Sequence, residues 1–257
     1  MKAALILFSA YFGACLASFV LAAAERTLEE KKWYGAERSK CDSCGKTLTA
    51  AELFPIFSFL FQKGRCKNCK AEIPRESLIV EFIGVFCGAL FAARFCFSPA
   101  LLFCHTAFLF LLFSALTDIK SGYIYDNWAF AMAGFGLAER LLFGGFHALA
   151  DGISGALAGF ALLFAIYLLS RKKGMGLGDA YLMLGFGAIF GWKITLLGLY
   201  CAFFAGGCTA AVLLLAKKAS RKTALPLVPF LATGALLAVE IYPAVFGYLG
   251  ITADLPF

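Results

Sequence analysis

Two aspartates stand where strongly apolar stretches meet short polar connections: Asp118 in Ala115-Leu116-Thr117-Asp118-Ile119-Lys120, and Asp179 in Gly174-Met175-Gly176-Leu177-Gly178-Asp179. A carboxylate beside a membrane span is costly to bury, so each is a functional-site hypothesis by default. Two of them suit a shared proton and an activated water. Close carboxylates in a low-dielectric site do not both ionise easily, so one keeps its proton while the other polarises a water for attack on a carbonyl. No covalent intermediate is needed, and the two residues can exchange roles. Gly174, Gly176 and Gly178 carry no side chains, which lets a peptide backbone approach and the chain bend beside Asp179. The bland reading is capping, with Asp118 closing a helix at the interface and Asp179 as N-cap of the span it opens.

A second constellation is made of cysteines. Cys41-Asp42-Ser43-Cys44 and Cys66-Lys67-Asn68-Cys69 are two CxxC pairs with 21 residues between them. Each pair forms a tight knuckle whose thiolates point at one ion, and two knuckles complete a tetrahedral structural zinc site. Such a closed site has no open position for water, so its role is to fold the segment rather than to do chemistry; redox-active or idle thiols are the alternative. Gly45 and Gly64 flank the knuckles and fit their turns. Cys15, Cys87, Cys96, Cys104, Cys201 and Cys208 fall in apolar stretches and read as small packing residues.

The elements that must position these groups are membrane helices. With 61% apolar residues, 29 Phe and 15% charged residues, the 257-residue chain exceeds what a soluble core needs. It reads as an all-α polytopic membrane protein of about eight transmembrane helices, at 3–23, 79–97, 100–117, 127–144, 149–170, 179–192, 195–216 and 225–246. The sixth is short and Gly-rich. The only long polar segment runs from Glu25 to Ser77 and holds both CxxC pairs, a zinc-ribbon-like loop after the first helix.

Lys and Arg gather in that loop, in Arg171-Lys172-Lys173, and in Lys217-Lys218 with Arg221-Lys222. Eight crossings place these clusters, and the connection carrying Asp118 and Lys120, on one side. By the positive-inside rule that side is the cytoplasm. The expectation is a multi-pass protein of the cytoplasmic (inner) membrane, with both aspartates at the cytoplasmic face and both termini outside. Lys2, an apolar stretch and Ala22-Ala23-Ala24 also fit a cleavable signal peptide, but the basic residues that follow oppose export. The net charge of +7 is concentrated in these loops and suits anionic lipid. A basic soluble surface for nucleic acid is absent, so no nucleic acid is expected. His105 reads as a hydrogen-bonded packing residue, and Glu139 with Arg140 as an interfacial pair.

Taken in order, these residues resemble the type IV prepilin peptidases, the prepilin leader peptidase/N-methyltransferase family of GxGD-type membrane aspartyl proteases. The match covers nearly the whole chain: Ala17-Ser18-Phe19, the CxxC pairs, Gly64-Arg65-Cys66, Pro74-Arg75-Glu76 with Val80-Glu81, Thr117-Asp118, Gly176-Leu177-Gly178-Asp179 and Pro229-Phe230-Leu231. The resemblance implies Asp118 and Asp179 as the catalytic pair, and zinc on Cys41, Cys44, Cys66 and Cys69. It also implies substrate contacts at Gly174, Gly176, Gly178 and Glu81, in a site that cuts prepilins or pseudopilins after the glycine of a short basic leader. Its division of the chain is a first transmembrane helix at 1–24, a cytoplasmic zinc-binding loop at 25–78 and an aspartyl peptidase domain at 79–257. N-methylation of the new N-terminus with S-adenosylmethionine follows from the same resemblance.

The chain departs from the family pattern in four places. Val20-Leu21 stands where an Asn is usual, and Arg26-Thr27-Leu28 where Arg-Leu-Pro is. Ile124-Tyr125-Asp126-Asn127 lacks the proline that would stiffen entry into the next span, and Tyr181 replaces a frequent Lys. One rival class is a different membrane aspartyl protease, of preflagellin or signal-peptide peptidase type, against which the four-cysteine loop argues. The other is a noncatalytic zinc-loop assembly factor or a transporter; a transporter should show inverted repeats around a midplane site, and no convincing repeat is visible.

Overall fold

A computed structural model describes residues 1–32, 38–171, 175–218 and 225–248, and the regular structure among them is helical. The chain divides into two compact units, Met1–Leu101 and Leu102–Phe257. Six helices among the described residues are long and apolar enough to cross a membrane.

In the first unit α1 (Lys2–Leu28) lies antiparallel to α3 (Arg75–Phe95). The order of their contacts gives the direction: Ser9 Oγ donates to Gly88 O at 2.7 Å, and Ser18 Oγ donates to Glu81 Oε1 at 3.0 Å. Ser9, Gly13 and Ala17 form a small-residue stripe against Gly84 and Gly88, and a Cβ on Gly84 would overlap the Gly13 carbonyl. Such seams bring backbones together in lipid, where apolar side chains gain nothing by leaving it. The span at 79–97, grouped by the sequence with the later helices, thus packs on α1. Between α1 and α3 lie the cysteine knuckles, a 3₁₀ turn at Ala50–Glu52 and the short α2 (Phe57–Phe61).

The second unit contains α4 (Pro99–Ser121), α5 (Asp126–Leu169), α6 (Leu177–Leu215) and α7 (Val228–Tyr248). The expected spans 127–144 with 149–170 and 179–192 with 195–216 run together in α5 and α6, each of which is two helices joined across a non-helical glycine, so the six long helices contain eight helical stretches. The joins are not helical: Gly145 has φ 67° and Gly191 φ 72°, backbone open to glycine and strained for other residues. The chain folds back at both. Arg140 Nη1 reaches Asp151 Oδ2 at 2.9 Å, although residues so spaced on a straight helix lie about 16 Å apart along the axis. The Phe186 ring lies against Gly198 in the same way.

One side chain holds both reversals. Arg140 is fully buried, donates from Nε to Ile189 O at 3.0 Å and from Nη1 to Ala148 O at 3.0 Å, and pairs with Asp151. Glu139 accepts from Thr106 Oγ1 at 2.6 Å. The expected interfacial Glu139–Arg140 pair is replaced by two part-buried partnerships, because consecutive helical residues do not face each other. Between α4 and α5, Phe113 stacks on Trp128 with centroids 4.0 Å apart.

Candidate active site and metal centre

Asp118 occupies the last turn of α4 and Asp179 the first turn of α6. Both are buried, at 9% and 8% exposure, and both line a single cavity of about 700 Å³ with Lys120, Ile124, Gly176, Gly178, Tyr181 and Leu227. That size lies within the roughly 300–1,000 Å³ typical of ligand sites.

Neither aspartate caps as the bland reading expects. Gly176 is the N-cap of α6, and Asp179 Oδ2 accepts its N–H at 3.1 Å from the third helical position. Asp118 Oδ2 accepts the N–H of Val228 at 3.0 Å, so it closes the N-terminus of α7 rather than its own helix. Both carboxyls therefore sit at helix N-termini, where unpaired amides and the helix dipole favour negative charge.

Of the expected glycines, Gly176 and Gly178 line the cavity, with Gly178 pressed on Ile124; Gly174 lies outside the described residues. Lys120 brings a positive charge to the cavity, where Tyr181 stands in place of the usual Lys and stacks on Phe160 at 6.0 Å. The sequence reading missed the Val228 amide. Its signal was present: Pro226-Leu227-Val228-Pro229 has the prolines that mark a helix start.

Glu81 belongs to the first unit. It is buried, accepts from Ser18 Oγ at 3.0 Å and from Ser77 Oγ at 3.4 Å, and takes the Ile56 N–H at 2.7 Å. It borders a cavity of about 180 Å³ with Ser18, Glu52, Gln62 and residues of the knuckles.

The knuckles are two copies of one turn, offset by 25 residues. Cys41 N–H donates to Lys46 O as Cys66 N–H does to Ala71 O, and Gly45 N–H donates to Cys41 O as Lys70 N–H does to Cys66 O. Gly45 (φ 69°) and Lys70 (φ 61°) hold equivalent left-handed positions. The second turn therefore uses Lys70 at the position Gly45 takes in the first, while Gly64 (φ 67°) takes the left-handed turn that leads into the second knuckle, its N–H donating to Phe59 O at 2.9 Å.

All four sulfur atoms lie within 4.8 Å of one another, and Cys41 Sγ is 3.8 Å from Cys69 Sγ. A tetrahedral ion with bonds of about 2.3 Å needs sulfurs about 3.8 Å apart. The Cys69 and Asn68 amides draw the Cys66 thiol down to about 6. Cys69 accepts the Ala71 N–H, yet burial and the neighbouring thiols raise it to about 11. Thiols that compete for charge in this way suit a divalent cation. The 3₁₀ turn beside them is fixed by Glu52, which accepts the Thr49 N–H and hydroxyl, each at 2.8 Å. These bonds, with Lys46 nearby, hold its carboxyl down to about 2.

Comparison with known proteins follows the same division. Residues 11–95 match the bacterial peptidase A24 N-terminal domain, and residues 105–211 match the type IV leader peptidase family. The prepilin leader peptidase/N-methyltransferase of Bacillus subtilis (strain 168) is 32% identical over 207 residues, 79% of this chain and 81% of the relative. That of Pseudomonas putida is 31% identical over 220 residues, covering 82% and 76%. That of Aeromonas hydrophila is 30% identical over 208 residues, covering 79% and 71%. No solved structure matches. With both domain models matched in order and these relatives aligned over most of their lengths, the chain belongs to the prepilin leader peptidase/N-methyltransferase family.

Proposed function

We propose that this protein is a membrane aspartyl endopeptidase that removes the short basic leader from type IV prepilins or pseudopilins at the cytoplasmic face of the inner membrane. The observation that carries the reading is the pair Asp118 and Asp179, buried on one cavity and each tied to a helix N-terminus. In this reading the ionised carboxyl takes a proton from water as the water oxygen adds to the scissile carbonyl. The protonated carboxyl gives its proton to the carbonyl oxygen. Collapse of the hydrated carbonyl breaks the C–N bond, and a proton returns to the leaving nitrogen. The Val228 and Gly176 amides hold the carboxyls in place through this exchange, and Gly176 and Gly178 leave room for an extended peptide. The basic residues of the loop at 25–78 support the cytoplasmic placement.

Cys41, Cys44, Cys66 and Cys69 would hold zinc, which supplies folding energy to the loop. N-methylation of the new N-terminus rests on the names of the relatives. The first unit's cavity of about 180 Å³ does not fit S-adenosylmethionine, since ligand sites begin at roughly 300 Å³.

The test is cleavage of a model prepilin by purified protein in detergent, comparing the parent with Asp118→Ala and Asp179→Ala. Loss of cleavage in both, with zinc content unchanged, is expected. Retained cleavage in either variant would end the dyad assignment, and an inactive parent across several prepilins would favour a noncatalytic assembly role.

A further inference from the structure

The segment between the knuckles is not the polar loop that its surroundings suggest. Leu53-Phe54-Pro55-Ile56-Phe57-Ser58-Phe59-Leu60-Phe61 carries no charge, and its Leu53, Phe54, Phe57, Leu60 and Phe61 side chains are exposed, Phe61 at 83%. A contiguous apolar surface of this kind marks a protein or membrane contact.

Its position decides between them. The Tyr11 ring of α1 lies 5.3 Å from that of Phe54 and 6.4 Å from that of Phe57. Tyr11 is about 20 Å along the helix from Glu25, the first charged residue at the loop end of α1, and the bilayer's hydrocarbon core is about 30 Å thick. The two phenyl rings thus reach the middle of the span. They continue the apolar face of α1 that Phe8 and Phe12, both exposed, present on either side of Tyr11.

The backbone is arranged as such a depth requires. Irregular backbone within lipid must have its polar groups satisfied from inside the protein. Ile56, a β-branched residue held at φ 64°, has its N–H taken by the buried Glu81 carboxylate at 2.7 Å. Pro55 has no N–H to satisfy. The amides of Phe57, Ser58, Leu60 and Gln62 bond to Pro55, Phe54, Ile56 and Ser58 carbonyls. Beyond the apolar tip, the exposed Lys63, Arg65, Lys67 and Lys70 form a basic rim suited to anionic headgroups.

We propose that Leu53–Phe61 is a re-entrant wedge that enters the bilayer beside α1 and α3, its exposed side chains covered by lipid acyl chains, and seats the four-cysteine centre on the membrane surface. Glu81 is the positioning residue of this wedge, supplying the acceptor that lets Ile56 turn within the membrane.

The test places a benzophenone-bearing phenylalanine analogue at Phe57, at Phe61 and, as control, at Asp42 in the knuckle. The full-length, zinc-loaded protein is reconstituted in vesicles of phosphatidylethanolamine and phosphatidylglycerol. Zinc content equal to the parent's verifies folding, and Phe54 replaces any wedge position that loses it. After irradiation, mass spectrometry should find phospholipid adducts at the wedge positions, bonded through the acyl chain and at least tenfold above the control. Adduct yields equal to the control, bonds to the headgroup alone, or crosslinks to polypeptide would each overturn the wedge.

Discussion

At the scale of single residues, the candidate site combines a local hydrogen bond, Gly176 N–H to Asp179, with one that no local sequence pattern contains, Val228 N–H to Asp118. Asp118 is recognisable because a carboxylate at the end of an apolar stretch is rare, and Asp179 because it follows three alternating glycines. The Val228 amide lies 110 residues from Asp118 in the chain, so only the fold pairs them. Val228 is the first helical residue of α7, a position where proline preserves a helix because its N–H is not needed for the helix ladder. Val228→Pro therefore removes the donor while keeping the element. A hydrogen bond to a charged group contributes about 1.5–3 kcal/mol, which corresponds to about 10- to 100-fold in rate. Cleavage by Val228→Pro should fall by that factor with the far-ultraviolet circular dichroism unchanged. An unaltered rate would mean that the amide does not position the carboxyl during turnover. Asp118→Asn, which keeps the shape and the acceptor oxygen but cannot ionise, should lose far more, at least a thousandfold, in the same assay.

At the scale of elements, the reversals at Gly145 and Gly191 set which helices meet. Hydropathy located the segments on either side of each break, because composition alone sets where about 20 apolar residues fit. It could not show that helical geometry continues almost to each glycine, nor that the two turns share a clip, since Arg140 reads in sequence as an ordinary interfacial charge. The knuckles were legible from their CxxC spacing, whereas the role of Lys70 was not, because a left-handed lysine has no sequence signature comparable to glycine's. Arg140→Met would strand the Asp151 carboxylate and leave the Ile189 and Ala148 carbonyls without their donor. Removing one partner of a buried pair costs about 3–5 kcal/mol, so the melting temperature in detergent should drop clearly. Adding Asp151→Asn to Arg140→Met should recover part of that loss, because the stranded charge is then gone. A purely additive effect of the two changes would show that the pair is not coupled.

At the scale of the whole molecule, the two compact units hold different candidate sites. The four cysteines and Glu81 fall in Met1–Leu101, and the two aspartates fall in Leu102–Phe257, a division that the two matched family domains repeat. Zinc on four thiolates would leave no coordination position for substrate or water, so under the proposed function the metal would influence cleavage only through the fold it supports. This fixes the expected rank of two perturbations. Cys66→Ser with Cys69→Ser should abolish zinc binding and make the segment around the knuckles an early site of limited proteolysis, because the repeated turns lose what joins them. Prepilin cleavage per folded molecule, measured at a temperature where the helices remain intact, should fall by less than about tenfold, against the thousandfold or greater loss expected for Asp118→Asn. If metal loss instead matched the aspartate substitution while circular dichroism and detergent elution stayed those of the parent, the cysteine centre would have to act within the catalytic step, and the separation of roles between the units would fall.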